Sequence, residues 1–131
     1  MKGTMMTRLT KLALLCGALA LTPGTAIAHG SMKPSHGGVV QMSGEIMVEL
    51  VTKPRALEVY VTEEDEPIPA TGFDGALIVT AADGAKSRIA LSAAGGNRFT
   101  APGRPPSGAK VVVSLTEKAG GTKTFVTFRM K

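Results

Sequence analysis

The chain has 131 residues, of which 15 are basic and 10 acidic, with 44% hydrophobic residues and one cysteine. This length is enough for one domain with one hydrophobic core. The sequence has no cluster of arginine and lysine interleaved with aromatic residues, so its composition argues against a nucleic-acid-binding surface.

Residues 1–28 have the three-part pattern of a secretory signal peptide. Three basic residues without any acid precede an apolar core at residues 12–21, and Ala26-Ile27-Ala28 then supplies the small residues that a signal peptidase requires. The apolar core is too short for a membrane span, which needs about 20 residues. We therefore expect cleavage after Ala28, a periplasmic location and no membrane insertion after cleavage.

Cys16 lies in the apolar core after Leu15, where a lipoprotein signal would need a small residue. Plain cleavage is thus the preferred interpretation, and the mature chain would then have no cysteine. Disulfides, thiolate metal sites and a cysteine nucleophile are excluded on that interpretation. The mature chain would also carry twelve basic against ten acidic residues, so its net charge would be +2 rather than +5.

An amino-terminal segment, residues 29–38, precedes a predicted β-domain at residues 39–131. A short strand begins at Val39 and ends at the Ser43-Gly44 turn, and period-two alternation predicts the next strands at residues 45–51 and 57–62. Later strands are separated by glycine-rich, proline-rich and Asp83-Gly84 turns. They are predicted at residues 76–82, 86–91, 98–100, 109–116 and 122–130.

Residues 63–66 form the only acidic run of the sequence. Calcium loops space their ligands with turn residues and a central glycine, so a solvated turn is the preferred interpretation of this run. Seven or eight short strands without a helix in the mature chain predict an all-β fold, a single antiparallel immunoglobulin-like β-sandwich. A small closed barrel is the alternative.

The inventory of chemical groups does not indicate an enzyme. Hydrolytic triads need a histidine beside a nucleophile and a carboxylate, yet His29 and His36 lie close together at the start of the mature chain. No glycine loop precedes a helix to cradle a phosphate.

Metal binding is the sharper interpretation of the amino-terminal segment. A mature His29 would offer its α-amine and its imidazole, and His36 would add a third nitrogen. Met32 and Met42 would add thioethers, with Met47 as a further one. Imidazole suits Cu(II) and thioethers suit Cu(I), so this set favours copper.

Each candidate ligand also has a plain explanation. His29 could be a residue of a disordered terminus, and Met42 and Met47 could fill the core or lie exposed on strands. Met32 lies among polar and turn residues, where packing explains it less well. His36 has the better claim as a ligand, because Gly37-Gly38 would let the backbone approach a bound ion.

The run Lys33-Pro34-Ser35-His36-Gly37-Gly38-Val39-Val40 resembles the start of small periplasmic proteins and of the leading domains of heavy-metal efflux adaptor proteins. The likeness continues through Glu49-Leu50, Val59-Tyr60-Val61-Thr62, Glu66-Pro67 and Ala94-Gly95-Gly96-Asn97, with His-Gly-Gly as its distinctive portion. This resemblance implies an immunoglobulin-like sandwich, a link to metal handling, and a metal-efflux adaptor or other envelope protein as partner.

The sequence is also loosely similar to periplasmic copper-resistance sandwiches whose mature chains start with histidine. Those proteins usually add His or Asp ligands downstream, whereas this chain has no histidine after His36. A weak or shared copper site, completed by a partner or a second copy, therefore fits better than a complete one. The alternative function is a structural or interaction module that pairs its sheet edges with another envelope protein; the sequence leaves the oligomeric state open.

Overall fold

The computed structural model describes residues 32–131, so the predicted signal peptide and His29 lie outside the described residues. In this part of the chain, one 3₁₀ turn at Ala70–Gly72 accompanies nine strands, and no helix is long and apolar enough to cross a membrane. The strands are β1 (Val39–Ser43), β2 (Ile46–Thr52), β3 (Ala56–Glu63), β4 (Glu66–Pro67), β5 (Phe73–Thr80), β6 (Lys86–Ala93), β7 (Arg98–Pro102), β8 (Lys110–Glu117) and β9 (Lys123–Arg129).

All strand pairs are antiparallel, in the order β1-β2-β3-β7-β6-β5-β8-β9, with the short β4 beside β3. One half of the sheet contains β1, β2, β3 and β7, and the other contains β5, β8 and β9. Strand β6 joins these two halves, because it pairs with β5 along most of its length and with β7 through Ser92 and Ala93. The sheet curves until β1 lies near β9, which gives a sandwich-like fold close to a barrel. The predicted all-β antiparallel fold is confirmed.

The core lies between the two halves and is formed by the inward members of each alternating strand. The largest of the fully buried side chains are Phe99, Leu57, Leu77 and Leu115. Strand β9 shows the alternation clearly, with Val126 and Phe128 buried between exposed neighbours. Burial of these side chains is the main stabilising contribution to such a domain.

Strand β5 begins at Phe73, three residues before the predicted start at position 76. Gly75 belongs to this strand, where it pairs with Leu91 on β6 and Leu115 on β8. A Cβ at Gly75 would lie 3.1 Å from the Cβ of Leu91 and 3.3 Å from Cδ2 of Leu115. Close packing against both neighbouring strands is a reason for a glycine inside β5.

The acidic run forms the hairpin between β3 and β4. Glu64 and Asp65 have φ angles of 48° and 67°, in the left-handed region that a two-residue hairpin loop of the primed type requires. All four side chains of residues 63–66 are exposed. The interpretation of this run as a solvated turn is confirmed.

Candidate functional site

The carboxylate of Glu49 anchors the segment that precedes β1. Glu49 lies on β2 with its side chain on the outer face of the sheet, yet it is only 5% exposed. Its oxygens accept hydrogen bonds from the backbone N–H groups of Ser35 at 3.0 Å, His36 at 2.9 Å and Gly38 at 2.9 Å. One buried carboxylate thus holds residues 35–38, the docked segment, against the sheet.

The His36 ring is fixed by two further contacts. Its Nδ1 lies 3.0 Å from Oε1 of Glu49, and the ring stacks on Tyr60 with centroids 3.5 Å apart and planes 7° from parallel. The His36 side chain is still 41% exposed. Among residues 32–131, the ring's other nitrogen, Nε2, makes no hydrogen bond in this structure.

The charge state of Glu49 assigns the tautomer of His36. Burial alone would raise the pKa of Glu49, but hydrogen bonds from the Gly38 N–H and the His36 ring, with those from the Ser35 and His36 N–H groups, outweigh burial and lower it. An ionised Glu49 accepts hydrogen bonds only, so Nδ1 is the donor. The lone pair of a neutral His36 ring then lies on Nε2, the arrangement typical of a metal-ligating histidine with a carboxylate behind it.

The glycine pair is explained by packing on β2. Gly37 has a φ of +76°, which favours glycine, and Gly38 lies against the β2 backbone. A Cβ at Gly38 would collide with the Leu50 carbonyl oxygen and lie 2.9 Å from Cγ2 of Val51. The close backbone approach expected from these glycines is therefore made to a neighbouring strand.

A second buried carboxylate extends the site along β3. Glu58 is 8% exposed, and its Oε2 accepts hydrogen bonds from Arg98 Nη1 at 2.9 Å and the Tyr60 hydroxyl at 3.2 Å. Lys53 Nζ lies 3.6 Å from Oε1. The hydrogen bond from Arg98 lowers the pKa of Glu58 although burial opposes it. Burial and the Glu58 carboxylate together raise the pKa of Tyr60.

Acid is expected to destabilise the domain through Glu58. Its pKa in the folded protein is below the ordinary value of 4.5, so the unfolded chain takes up a proton first as pH falls. The stabilisation is present above about pH 4.5 and is lost as pH drops through the lower folded pKa. Urea unfolding between pH 7 and pH 3 should show this loss.

Glu58→Gln and Glu63→Gln form a matched pair for that measurement, because Glu63 is exposed at the end of β3. The fall in unfolding free energy with acid should be shallower for Glu58→Gln than for Glu63→Gln. Equal slopes would contradict the assignment of acid sensitivity to Glu58.

The structure brings together only some of the predicted ligands. Val40 pairs with Glu49 and Met42 with Met47, so the side chains of Met42 and Met47 share the outer face with Glu49. Met47 also lines a hollow of about 270 Å³ together with Lys33 and Ser35. Met32 is 52% exposed at the start of the described chain.

One nitrogen ligand is thus pre-oriented, and the described His, Cys, Asp and Glu side chains do not complete a metal site around it. Within residues 32–131, no group of three or more His, Cys, Asp or Glu side chains lies close enough to hold a metal ion. In the pair of His36 and Glu49, Nε2 of His36 can occupy one coordination position of a metal ion. Further ligands have to come from methionines, from residues before position 32, or from another molecule.

Sequence reasoning missed Glu49 and Tyr60 as members of the site. The alternation of residues 45–51 and 57–62 puts both side chains opposite the apolar faces of their strands, and in the structure Glu49 pairs with Tyr60 on the outer face. It could not indicate that residues 35–38 fold back over that face. The available signal was a lone Glu between Val48 and Leu50 in a strongly apolar strand.

Comparisons with known proteins add no relative to this description. No family model matches the chain. No curated protein and no solved structure matches it either.

Proposed function

We propose that the protein is a non-catalytic periplasmic metal-binding protein, with copper as its metal, that acts as a carrier, sensor or accessory in heavy-metal resistance or efflux. The observation that carries this proposal is the orientation of His36 by the buried Glu49 carboxylate, 3.0 Å from Nδ1. Nε2 is then the nitrogen that can coordinate a metal ion, on a side chain that is 41% exposed. A ligand fixed in this way loses little rotamer freedom when it binds a metal.

The chemistry of the neighbouring groups supports copper. Met42 and Met47 supply thioethers on the same face of the sheet, and thioethers are soft ligands that suit Cu(I). Imidazole suits Cu(II), and a processed His29 would add two nitrogen atoms. Glutamate and aspartate oxygens, which suit calcium and magnesium, do not converge near His36 beyond Glu49 itself among the described residues.

A shared site fits these ligands better than a closed one. His36 is the only histidine that the described chain contributes, and structural copper or zinc sites usually need three or four protein ligands. A second copy, or a partner such as a metal-efflux adaptor, would supply the rest. An open site of this kind suits a carrier that receives and releases its metal.

The test uses the protein as the cell exports it, with its first residue determined by mass spectrometry. The chain has one tyrosine and no tryptophan, so its ultraviolet fluorescence reports on Tyr60 alone. Because Tyr60 stacks on His36 at 3.5 Å, Cu(II) bound to His36 should quench that fluorescence. Quenching should saturate near one copper per chain, or near one per two chains where a second copy completes the site. Cu(I) is measured separately by competition with a chromogenic chelator.

The variant His36→Gln should weaken copper binding at least tenfold and abolish quenching of Tyr60. Met32→Leu and Met42→Leu should each weaken binding less, because no carboxylate of the described residues fixes either thioether. His29→Gln should also weaken binding less, because the α-amine of a processed residue 29 would remain. Arg88→Gln, an exposed change on β6, is the control that should bind copper normally. Absence of near-stoichiometric copper binding, or unchanged affinity in His36→Gln, would reject the proposal.

The second candidate function is a structural or protein-interaction module of the cell envelope. The observation that favours it is the exposure of Val39 on β1 and Phe125 on β9, at 54% and 53%. These strands are the two ends of the strand order, where a partner strand can add. This function predicts a stable envelope complex that chelators leave unchanged, whereas a complex that dissolves with chelator would favour the metal function.

A further inference from the structure

A cleft of about 730 Å³ opens where the start of β1 approaches the end of β9. Its apolar wall includes Val39, Leu50, Phe128 and Met130, beside the proline loop that precedes β8. The volume falls in the range of small-molecule sites, which is about 300–1,000 Å³. Val39 is 54% exposed and Met130 is half-buried, whereas Leu50 and Phe128 are buried and form the floor of this wall.

The rim of the cleft is cationic. Arg104, Arg129 and Lys131 line it, and no acidic residue of the described chain does. All three side chains are exposed. In this structure the described residues show no salt bridge from any of the three, unlike Lys53 and Arg98, which pair with Glu58.

The charged residues near the two ends of β3 differ in sign. Strand β3 begins at Ala56, which pairs with Pro102 near the cleft, and ends at Glu63 in the acidic hairpin. Arg55 and Lys110 add positive charge at the cleft end, where Lys110 pairs with Arg129. The acidic run at residues 63–66 lies at the other end of β3. The cationic residues at the cleft end favour the approach of an anion.

We infer that this cleft binds a monomeric amphiphile, a molecule with a single apolar chain and an anionic head group. The chain would lie along Val39 and Met130, the wall residues that still expose apolar surface, and would remove that surface from water. The head group would lie between Arg104 and Lys131, where the guanidinium can bind a carboxylate or phosphate through two hydrogen bonds. An inorganic anion would leave the apolar wall exposed, and an uncharged lipid would leave the cationic rim unused.

This site is independent of the proposed copper site. None of His36, Glu49, Tyr60 or Met42 lines the cleft. Amphiphile binding is therefore expected to survive His36→Gln, and the failure of one proposal does not decide the other.

The experiment titrates the exported protein with dodecanoate below its critical micelle concentration. The fluorescent probe 1-anilinonaphthalene-8-sulfonate, itself apolar and anionic, reports occupancy by its displacement. Dodecanoate should displace the probe at a one-to-one ratio, and dodecanol or dodecyltrimethylammonium should do so about tenfold less effectively. Vesicles of anionic phospholipid form a separate arm, read by co-sedimentation.

Two variants test the two halves of the site. Arg104→Gln combined with Lys131→Gln should weaken dodecanoate binding about tenfold. Val39→Glu, at an exposed position, should weaken it similarly by adding a negative charge to the apolar wall. The matched control, Arg88→Gln combined with Lys123→Gln, removes the same charge from exposed positions elsewhere and should bind normally.

Three results would overturn the inference. These are the absence of probe displacement by monomeric dodecanoate, equal loss in the control pair and the cleft pair, and binding to anionic vesicles alone. The last result would indicate a membrane-surface contact of the basic end instead of a ligand site. Far-ultraviolet circular dichroism of each variant checks that the strands are intact, and Val39→Glu keeps the test valid if the double variant fails to fold.

Discussion

The Glu49→Gln variant is expected to bind copper 10- to 100-fold more weakly than the native protein and to lose about 2–4 kcal/mol of unfolding free energy. The glutamine amide group is itself a donor, so it would face at least one of the N–H donors of Ser35, His36 and Gly38 that Glu49 now satisfies. The substitution would also remove the negative charge that favours the Nδ1–H form of His36.

Two measurements separate these effects. Urea unfolding followed by circular dichroism gives the stability of the β-domain, and Tyr60 fluorescence reports whether His36 still stacks on the ring. Glu45→Gln removes the same charge from an exposed position next to β2 and should change neither value appreciably. Native stability in Glu49→Gln would contradict the role of Glu49 as the anchor of the docked segment.

The Gly38→Ala variant is expected to lose about 3 kcal/mol of unfolding free energy or to release the docked segment from the sheet. The added methyl group would meet the Leu50 carbonyl group, whose carbon would lie 2.9 Å away. The Leu50 carbonyl group belongs to the backbone of β2, which pairs with β1 on one side and β3 on the other. It cannot shift without loss of hydrogen bonds between these strands. The Gly38 N–H would also move away from Glu49.

Gly72→Ala is the matched control for Gly38→Ala. A Cβ at Gly72 meets no atom within 4 Å, and Gly72 has no positive φ. This control should unfold close to the native midpoint in urea. Gly38→Ala could instead unfold at the native urea midpoint and keep the native Tyr60 fluorescence. In that case the close approach of Gly38 to β2 has no energetic importance.

The stability of the site and its proposed chemistry depend on the same carboxylate. Glu49 holds residues 35–38 against β2 and also fixes the His36 ring, whose Nε2 is the proposed metal ligand. Variants of Glu49 and Gly38 should therefore lower copper affinity together with stability. His36→Gln should lower affinity with a smaller change in stability, because the backbone hydrogen bonds to Glu49 remain.

Local pattern was sufficient to predict most of the strands. Alternation in residues 45–51 and 57–62 depends only on which side of a strand each residue faces, and the observed β2 and β3 follow it. The turns at Asp83-Gly84 and residues 63–66 likewise follow from local conformational preference. Gly84 has a φ of +92°, and the Ala85 N–H binds Oδ1 of Asp83 at 3.0 Å.

The sequence by itself determined the all-β class, the strand faces and His36 as the most distinctive residue of the amino-terminal segment. Only the tertiary structure decided that outward residues such as Glu49 and Glu58 are buried. Residues 35–38 cover Glu49 from outside the sheet, and Arg98, 40 positions away in the chain, reaches Glu58 through the pairing of β7 with β3. Alternation reports the direction of a side chain, whereas burial of an outward side chain depends on distant segments that no local pattern records.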